Sequence, residues 1–319
     1  MFNKIRKLIG LDKEIPINLT GIVESLQKNS IRVVYDTTIG QNCTVGSSKI
    51  GGKPDLPSDF KWFYFNGKAY TDNDGVYIGE GVVKNRPLSF LAQINCEEAS
   101  KFDTEKALPS KGMLYFFYEL GSMTWGFDQK DKGSARVYYH SGEMSELHRT
   151  DFPSDLPNEY PKQYHLPEMA ISFSSVTETP DLEEFEELYD GLNKIKHKER
   201  KKLWSDYNVA RGLDSIEGKP EGQINKLLGY ADLVQGGMLL NCELVTNGIN
   251  TGDLGWYANI SAEQAENSKN WRLLFQLDSI YTDYYEMMWG DMGRIYFYIK
   301  DEDLRNLKFE DCWLVLQCG

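Results

Sequence analysis

The sequence lacks the features of membrane-spanning, secreted and disulfide-stabilised proteins. No stretch of its 319 residues approaches the roughly 20 consecutive apolar residues that a transmembrane helix needs. The N-terminal segment has no continuous apolar core of the kind found in signal peptides. Its five cysteines are an odd number and include no Cys-x-x-Cys pair, which favours reduced thiols. These absences predict a cytoplasmic protein without stable membrane insertion.

The sequence also lacks an excess of basic residues. Its 35 Lys and Arg residues are outnumbered by 48 Asp and Glu residues, so the formal net charge is -13. A surface of this sign repels the phosphate backbones of DNA and RNA. We therefore predict no nucleic-acid partner.

Motifs for catalysis, cofactors and metals are missing as well. There is no G-x-S-x-G elbow, and no histidine lies three or four residues from a cysteine or another histidine. The stretch SSKIGGKP at 47–54 approaches a phosphate-binding loop, but Ser47 replaces its first glycine and Pro54 replaces the hydroxyl residue that binds magnesium. The acidic stretch at 72–75 lacks the outer carboxylates of a calcium loop and is typical of a turn. The sequence therefore predicts no metal and no cofactor.

Three blocks of the sequence occur twice in the same order. LLGYADL at 227–233 resembles IGGKPDL, which begins at Ile50, with one residue missing. WRLLFQL at 271–277 resembles LSFLAQI at 88–94, and GRIYFYI at 293–299 resembles GMLYFFY at 112–118. The last pair is almost continuously apolar and aromatic, which is typical of strands buried on both faces. The ordered recurrence indicates an internal duplication.

These patterns predict the fold class and its divisions. We expect an α+β protein, mainly antiparallel β-sheet, internally duplicated, with two pseudo-symmetric halves packed into one compact body. Residues 1–45 form an N-terminal amphipathic helix and a first strand at 31–35. Residues 46–150 form a first repeat, 151–220 a Pro-rich and charged helical connector, and 221–319 a second repeat.

Two helical segments lie outside the predicted repeats. The segment 1–10 has apolar residues on one face and basic residues elsewhere, which suits either docking on the body or contact with an anionic membrane surface. The segment 180–206 is acidic in its first half and basic in its second, and one helix or two helices broken at Gly191 would fit. We expect this second segment to be a solvated connection.

The stretch QLDSIYTDYYEMMWGDMG at 276–293 is the strongest candidate site. It places carboxylates among aromatic and methionine side chains, which could form a binding face or could be a hairpin packed on the core. The two strand glutamines of the repeat, at equivalent places, are added as candidates. The predicted ligand-binding or partner-binding residues are Gln93, Gln276, Asp278, Trp289 and Asp291.

The repeated blocks resemble a known family. IGGKPDLP, PLSFLAQI, LPSKGMLYFFY and GDMGRIYFYI, in that order, are similar to the bacterial YwqG-like domain of unknown function. The matching positions are Gly51, Gly52, Pro54, Leu56, Pro57, Gln93, Gly112, Gly290, Asp291 and Gly293. A Trp-Pro pair expected by the family is replaced by FKWF at 60–63. The resemblance implies a fold and, through relatives in toxin and immunity settings, a protein-binding role, but no reaction.

Two functions follow from the sequence. The first is a cytoplasmic binding protein without a catalytic motif, which uses the acidic and aromatic stretch to hold a protein partner. The alternative is a hydrolase whose site forms only in the fold, from Asp278, Glu286, Asp291 or His140.

Overall fold

The computed structural model describes residues 19–38, 42–71, 77–156, 165–189, 197–211, 223–252, 255–256 and 260–319. The predicted N-terminal helix at 1–10, the acidic stretch at 72–75 and the predicted break at Gly191 lie outside these residues. The expected mixture of helices with a mainly antiparallel sheet is confirmed.

The body of the molecule is a ten-stranded sheet in which every pairing is antiparallel. Across the sheet the strands are β16 (Trp313–Gln317), β15 (Arg294–Lys300), β12 (Trp271–Asp278), β11 (Lys226–Leu228), β1 (Lys28–Tyr35), β10 (Met169–Glu178), β2 (Lys49–Ile50), β6 (Ser89–Asn95), β7 (Met113–Tyr118) and β8 (Ala135–His140).

From the centre of the sheet towards either edge, long and short strands follow in the same order. We call β10, β2, β6, β7 and β8 the first half-sheet, and β1, β11, β12, β15 and β16 the second half-sheet. In each, a long central strand is followed by a short one and then by three longer ones. The central strands β1 and β10 pair along their length, from Lys28 opposite Glu178 to Tyr35 opposite Ile171.

β1 lies in the N-terminal half of the sequence but belongs to the second half-sheet. β10 lies in the C-terminal half but belongs to the first half-sheet. β1 precedes the first predicted repeat but pairs with β11 of the second half-sheet, whereas β10 pairs with β2 of the first. The predicted first strand at 31–35 is confirmed and begins earlier, at Lys28. β10 falls inside the predicted connector and was missed, because its serines and threonines leave it no continuous apolar run.

Three small hairpins or strand pairs accompany the main sheet. They are β3 (Asp55–Pro57) with β9 (Leu147–Arg149), β4 (Tyr64–Thr71) with β5 (Tyr77–Pro87), and β13 (Ile280–Tyr281) with β14 (Glu286–Met287). The β4–β5 hairpin is anchored by Arg86, whose buried guanidinium donates two hydrogen bonds to the Glu119 carboxylate, at 2.8 Å and 2.7 Å. This geometry fixes direction as well as distance.

The core lies between the two half-sheets. Phe116 of β7 meets Phe275 of β12 and Phe297 of β15, with ring centroids 4.5 Å and 5.1 Å apart. The neighbouring residues Tyr115 and Phe117 face the other side of β7, where they join a separate buried cluster. β7 is therefore buried on both faces, as its aromatic run predicted.

The two edges of the sheet approach each other through the loop that follows β7. The Leu316 amide of β16 donates to the Trp125 carbonyl at 3.1 Å, and the Trp313 indole donates to the Gly126 carbonyl at 2.9 Å. Gly126 has a positive φ of 78°, and a Cβ there would overlap the Leu314 carbonyl. Glycine is thus required where the edges touch.

Seven α-helices are found in the described residues: α1 (Leu19–Ser25), α2 (Cys96–Ala99), α3 (Leu182–Leu188), α4 (His197–Ala210), α5 (Leu239–Thr246), α6 (Ala262–Ser268) and α7 (Asp301–Arg305). None of these is long and apolar enough to cross a membrane. Helices α3 and α4 confirm the predicted helical character at 182–188 and 197–206, and residues 190–196 lie outside the described residues. They pack against α1, with the rings of Phe185 and Tyr207 stacked at 4.2 Å.

Helix α3 brings buried carboxyl groups against the body. Asp181 caps its N-terminus by accepting from the Glu184 amide at 3.1 Å. Glu187 accepts from the Leu239 and Leu240 amides at the start of α5, at 3.0 Å and 3.2 Å. Burial raises the pKa of Asp181 to about 6 and that of Glu187 to about 7. Burial also raises the pKa of Glu184 well above its usual range, and the nearby Asp181 adds to this.

We predict that stability falls as pH rises from about 4 to about 7. In this window the folded state keeps protons on Glu187 and Asp181 that the unfolded state has released, so each step towards higher pH favours unfolding. Glu187 alone should account for a loss on the order of 3 kcal/mol. Urea unfolding at a series of pH values measures the slope.

Glu187→Gln should remove the part of the slope nearest pH 7 and leave the part due to Asp181. The exposed Glu143→Gln should leave the whole slope unchanged. A Glu187→Gln slope equal to that of the parent protein would contradict the assignment.

Candidate functional site

Gln93, near the end of β6, is a fully buried tie between that strand and the turn that follows β2. Its side-chain carbonyl accepts from the Asp55 amide at 2.8 Å. Its amide group donates to the Asp55 carboxylate at 2.7 Å and to the Ser47 carbonyl at 2.8 Å. All its hydrogen-bonding capacity except one acceptor position is therefore used inside the protein.

Gln276, at the equivalent place on β12, makes the same contacts. Its side-chain carbonyl accepts from the Asp232 amide at 2.8 Å. Its amide group donates to the Asp232 carboxylate at 2.8 Å and to the Ile224 carbonyl at 2.7 Å. Tyr115 and Tyr296 add a second correspondence, because their hydroxyls donate to the Asp55 and Asp232 carbonyls.

A buried lysine lies beside each of these glutamines. Lys49 donates to the Glu168 carboxylate at 2.7 Å and to the Lys53 carbonyl at 2.6 Å. Its burial lowers its pKa, and the bond to Glu168 opposes that shift. A buried ammonium is tolerated only when it is paired and hydrogen-bonded. We call Lys49, Asp55, Gln93 and Glu168 the Lys49 network.

Lys226 repeats this arrangement in the second half-sheet. Its ammonium lies 2.9 Å from the Glu178 carboxylate and 2.8 Å from that of Asp232, and it donates to the Tyr230 carbonyl at 3.1 Å. We call Lys226, Asp232, Gln276 and Glu178 the Lys226 network. The two counter-charges stand at opposite ends of β10, since Glu168 precedes that strand and Glu178 ends it.

The two turns align without the missing residue that the sequence comparison assumed. Both follow the pattern K-x-x-G-x-x-D, from Lys49 to Asp55 and from Lys226 to Asp232. The second and third residues after each lysine have positive φ, at 64° and 66° for Gly51 and Gly52, and at 60° and 71° for Leu228 and Gly229. The expected one-residue gap is wrong, because the backbone conformations correspond position by position.

The acidic and aromatic stretch forms the β13–β14 hairpin and the turn after it. The Thr282 amide donates to the Tyr285 carbonyl at 2.9 Å across the hairpin end. Trp289 is fully buried, and its indole donates to the Asp278 carbonyl at 3.0 Å. The Asp278 carboxylate pairs with Arg294 at 3.0 Å. Burial raises the pKa of Asp278, and Arg294 opposes that shift.

The outer side of this stretch is exposed. Tyr281 is 45% exposed and Met292 is 67% exposed. With them we define the hairpin surface, whose members are all exposed and lie within 281–292: Tyr281, Asp283, Tyr284, Glu286, Met288, Asp291 and Met292. It combines large apolar side chains with carboxylates.

The structure divides the five predicted site residues into two groups. Asp278, Trp289 and Asp291 belong to one segment, but only Asp291 is exposed, and Trp289 offers no ring to a partner. Gln93 and Gln276 lie in the two buried networks. Of the five predicted residues, only Asp291 therefore lies on the exposed hairpin surface.

His140 and Asp278 stand on different half-sheets. His140 lies on the edge strand β8, 3.5 Å from the Glu146 carboxylate, whereas Asp278 ends β12. Within the described ranges, no group of three or more His, Cys, Asp or Glu is arranged to hold a metal ion.

Sequence reasoning missed both buried lysines and their aspartates. The signal was present, because K-x-x-G-x-x-D occurs in both turns. Lysine is usually exposed, so its repetition beside an apolar strand was an available indication of a buried ion pair.

The fold and these contacts define an antiparallel α+β protein in which two half-sheets are each held by a buried Lys-Asp-Gln network. The chain belongs to the family described as Domain of unknown function (DUF1963), whose model matches residues 48–318. The match begins just before β2 and ends at the close of β16. A comparison with curated proteins finds no match.

We predict that Gln93→Leu and Gln276→Leu destabilise the protein by similar amounts, about 2–4 kcal/mol each. Either change leaves the backbone amide of Asp55 or Asp232 without its acceptor and removes one hydrogen-bond donor from the carboxylate of the same residue. Urea unfolding of the two variants measures the effect. The exposed Gln129→Leu is the control and should stay within about 0.5 kcal/mol of the parent. A large loss for one glutamine and none for the other would contradict the equivalence of the networks.

Proposed function

We propose that this protein is a non-catalytic, cytoplasmic binding protein whose hairpin surface holds a basic segment of a protein partner. The observation that supports this is the concentration of four exposed large apolar side chains and three exposed carboxylates within 281–292. Soluble proteins seldom gather exposed apolar groups in this way unless something binds there.

The composition of the hairpin surface suits an apolar and basic segment. Tyrosine and methionine are enriched at protein interfaces, and methionine adapts its shape to varied partners. The carboxylates of Asp283, Glu286 and Asp291 attract lysine and arginine. Arg294, the basic residue nearest in the sequence, is already paired with Asp278.

The surface is held in place by the buried side of the same segment. Trp289 anchors it from below, and the Gly319 amide donates to the Asp291 carbonyl at 2.8 Å. Gly290 and Met292 take left-handed backbone conformations, with φ of 66° and 48°. A surface fixed before binding loses less conformational entropy when a partner docks.

The internal duplication is part of the same proposal. It is supported by the strand order that reads alike from the centre to both edges, by the two K-x-x-G-x-x-D turns and by the paired glutamines. The hairpin surface has no counterpart in the first repeat, where ALPSKG precedes Gly112. We also place the protein among the bacterial YwqG-like members of its family, on the motif residues from Gly51 to Gly293 given above.

We predict binding of fluorescent peptides that combine Lys or Arg with Leu or Phe. Binding should weaken as salt rises, because exposed charges are screened. Glu286→Lys and Met292→Ser should each weaken it at least fivefold, through lost charge attraction and lost apolar contact respectively. Fluorescence anisotropy gives the dissociation constants.

The controls change exposed residues elsewhere by the same chemistry. Glu143→Lys and Val209→Ser should leave peptide binding unchanged. Equal binding of charge-reversed peptides, or no binding of any basic peptide up to about 1 mM, would count against the proposal.

A further inference from the structure

A cleft of about 260 Å³ lies where the two edges of the sheet approach each other. One side is formed by residues 129–136, which lead into and begin β8. The other side is formed by the end of α5, by Trp271, and by residues 300–314 around α7 and β16. The cleft shares no residue with the hairpin surface.

The two sides of this cleft carry opposite charges. Lys132 and Arg136 line the side formed by residues 129–136, and Asp303, Glu310 and Asp311 line the side formed by residues 300–314. Across the described part of the chain, none of these five makes an ion pair within 4.0 Å. The basic and the acidic side chains therefore line the same cleft without forming ion pairs with each other.

The other charged groups of the cleft are already occupied. Lys300 pairs with Glu243 at 2.9 Å and lies over the Trp271 ring. One Asp131 oxygen accepts from the Gly126 amide at 2.9 Å. Burial raises the pKa of the Cys312 thiol well above its usual range, so this thiol is a poor nucleophile. Within the described residues, the charged side chains of the cleft without an ion-pair or hydrogen-bond partner are therefore Arg136 and Lys132 on one side and the three carboxylates on the other.

We propose that this cleft binds a small zwitterion, a free α-amino acid, with its carboxylate at Arg136 and its ammonium at Asp303 and Asp311. A guanidinium can hold a carboxylate by two parallel hydrogen bonds. Burial and the nearby Asp311 carboxylate raise the pKa of Asp303, while Lys308 and Lys300 oppose that shift, and an ammonium beside the two carboxylates relieves their repulsion. The volume is below the roughly 300–1,000 Å³ of pockets for drug-sized molecules, which favours a ligand of this size.

Binding at this place has a structural consequence. A ligand that contacts Arg136 of β8 and Asp303 of α7 links the two edges of the sheet. It should therefore raise the unfolding temperature, because a molecule that binds only the folded state stabilises it.

The test is calorimetric titration of the intact protein with each of the twenty free L-amino acids. At least one should bind with a dissociation constant below about 1 mM. For that amino acid, the analogue without the carboxylate and the analogue without the amino group should each bind at least tenfold more weakly. Arg136→Gln and Asp303→Asn should each weaken binding at least tenfold.

Matched controls separate a local effect from misfolding. Arg305→Gln and Glu302→Gln change exposed neighbours of the same chemistry and should leave the affinity unchanged. Urea unfolding of Arg136→Gln and Asp303→Asn checks that both variants fold.

Three results would overturn the proposal. They are no binding by any of the twenty amino acids, an amine that binds as tightly as its amino acid, and an affinity unchanged by Arg136→Gln. None of these results bears on the hairpin surface, whose test uses other residues and other ligands.

Discussion

The neutralisation of two buried lysines by the two ends of β10 is the interaction on which this structure depends. Glu168 and Glu178 flank that strand, and each faces a lysine from a different half-sheet. Because an uncompensated buried ammonium costs several kcal/mol, the register of β10 against both half-sheets is strongly constrained. The pairing of β1 with β10 then places the half-sheets so that Phe116 meets Phe275 and Phe297.

The networks also explain why the turns after β2 and β11 are so alike. Each glutamine holds both the amide and the carboxylate of an aspartate, which fixes the direction in which the chain leaves its short strand. Left-handed backbone at Gly51, Gly52, Leu228 and Gly229 makes that direction possible. Buried polar groups of this kind contribute less to net stability than to selecting one arrangement among several.

Parts of this architecture could be predicted from the sequence, and the reasons are local. The apolar runs of β6, β7, β12 and β15 are visible because strands buried on both faces need no polar alternation. β10 could not be seen in this way, since its exposed side is rich in serine and threonine. Its place at the centre of the sheet depends on partners distant in the chain.

The candidate sites show the same division. The hairpin surface was visible as a cluster in 276–293, yet the burial of Trp289 was not, because its position beneath Asp278 and Ser279 is set by tertiary packing. The cleft between the sheet edges was invisible, since residues 129–136 and 300–314 come together only in the fold. Spacing along a chain carries no information on such a meeting.

The crossing of β1 and β10 between the half-sheets makes the molecule hard to divide. Each half-sheet takes its central strand from outside the contiguous segment that supplies its other four strands. If the chain were cut between β8 and β10, the N-terminal fragment would retain β1, which completes the second half-sheet, and the C-terminal fragment would retain β10, which completes the first. Neither fragment could close its own sheet, so the two would have to reassemble by recognising each other rather than fold as separate modules.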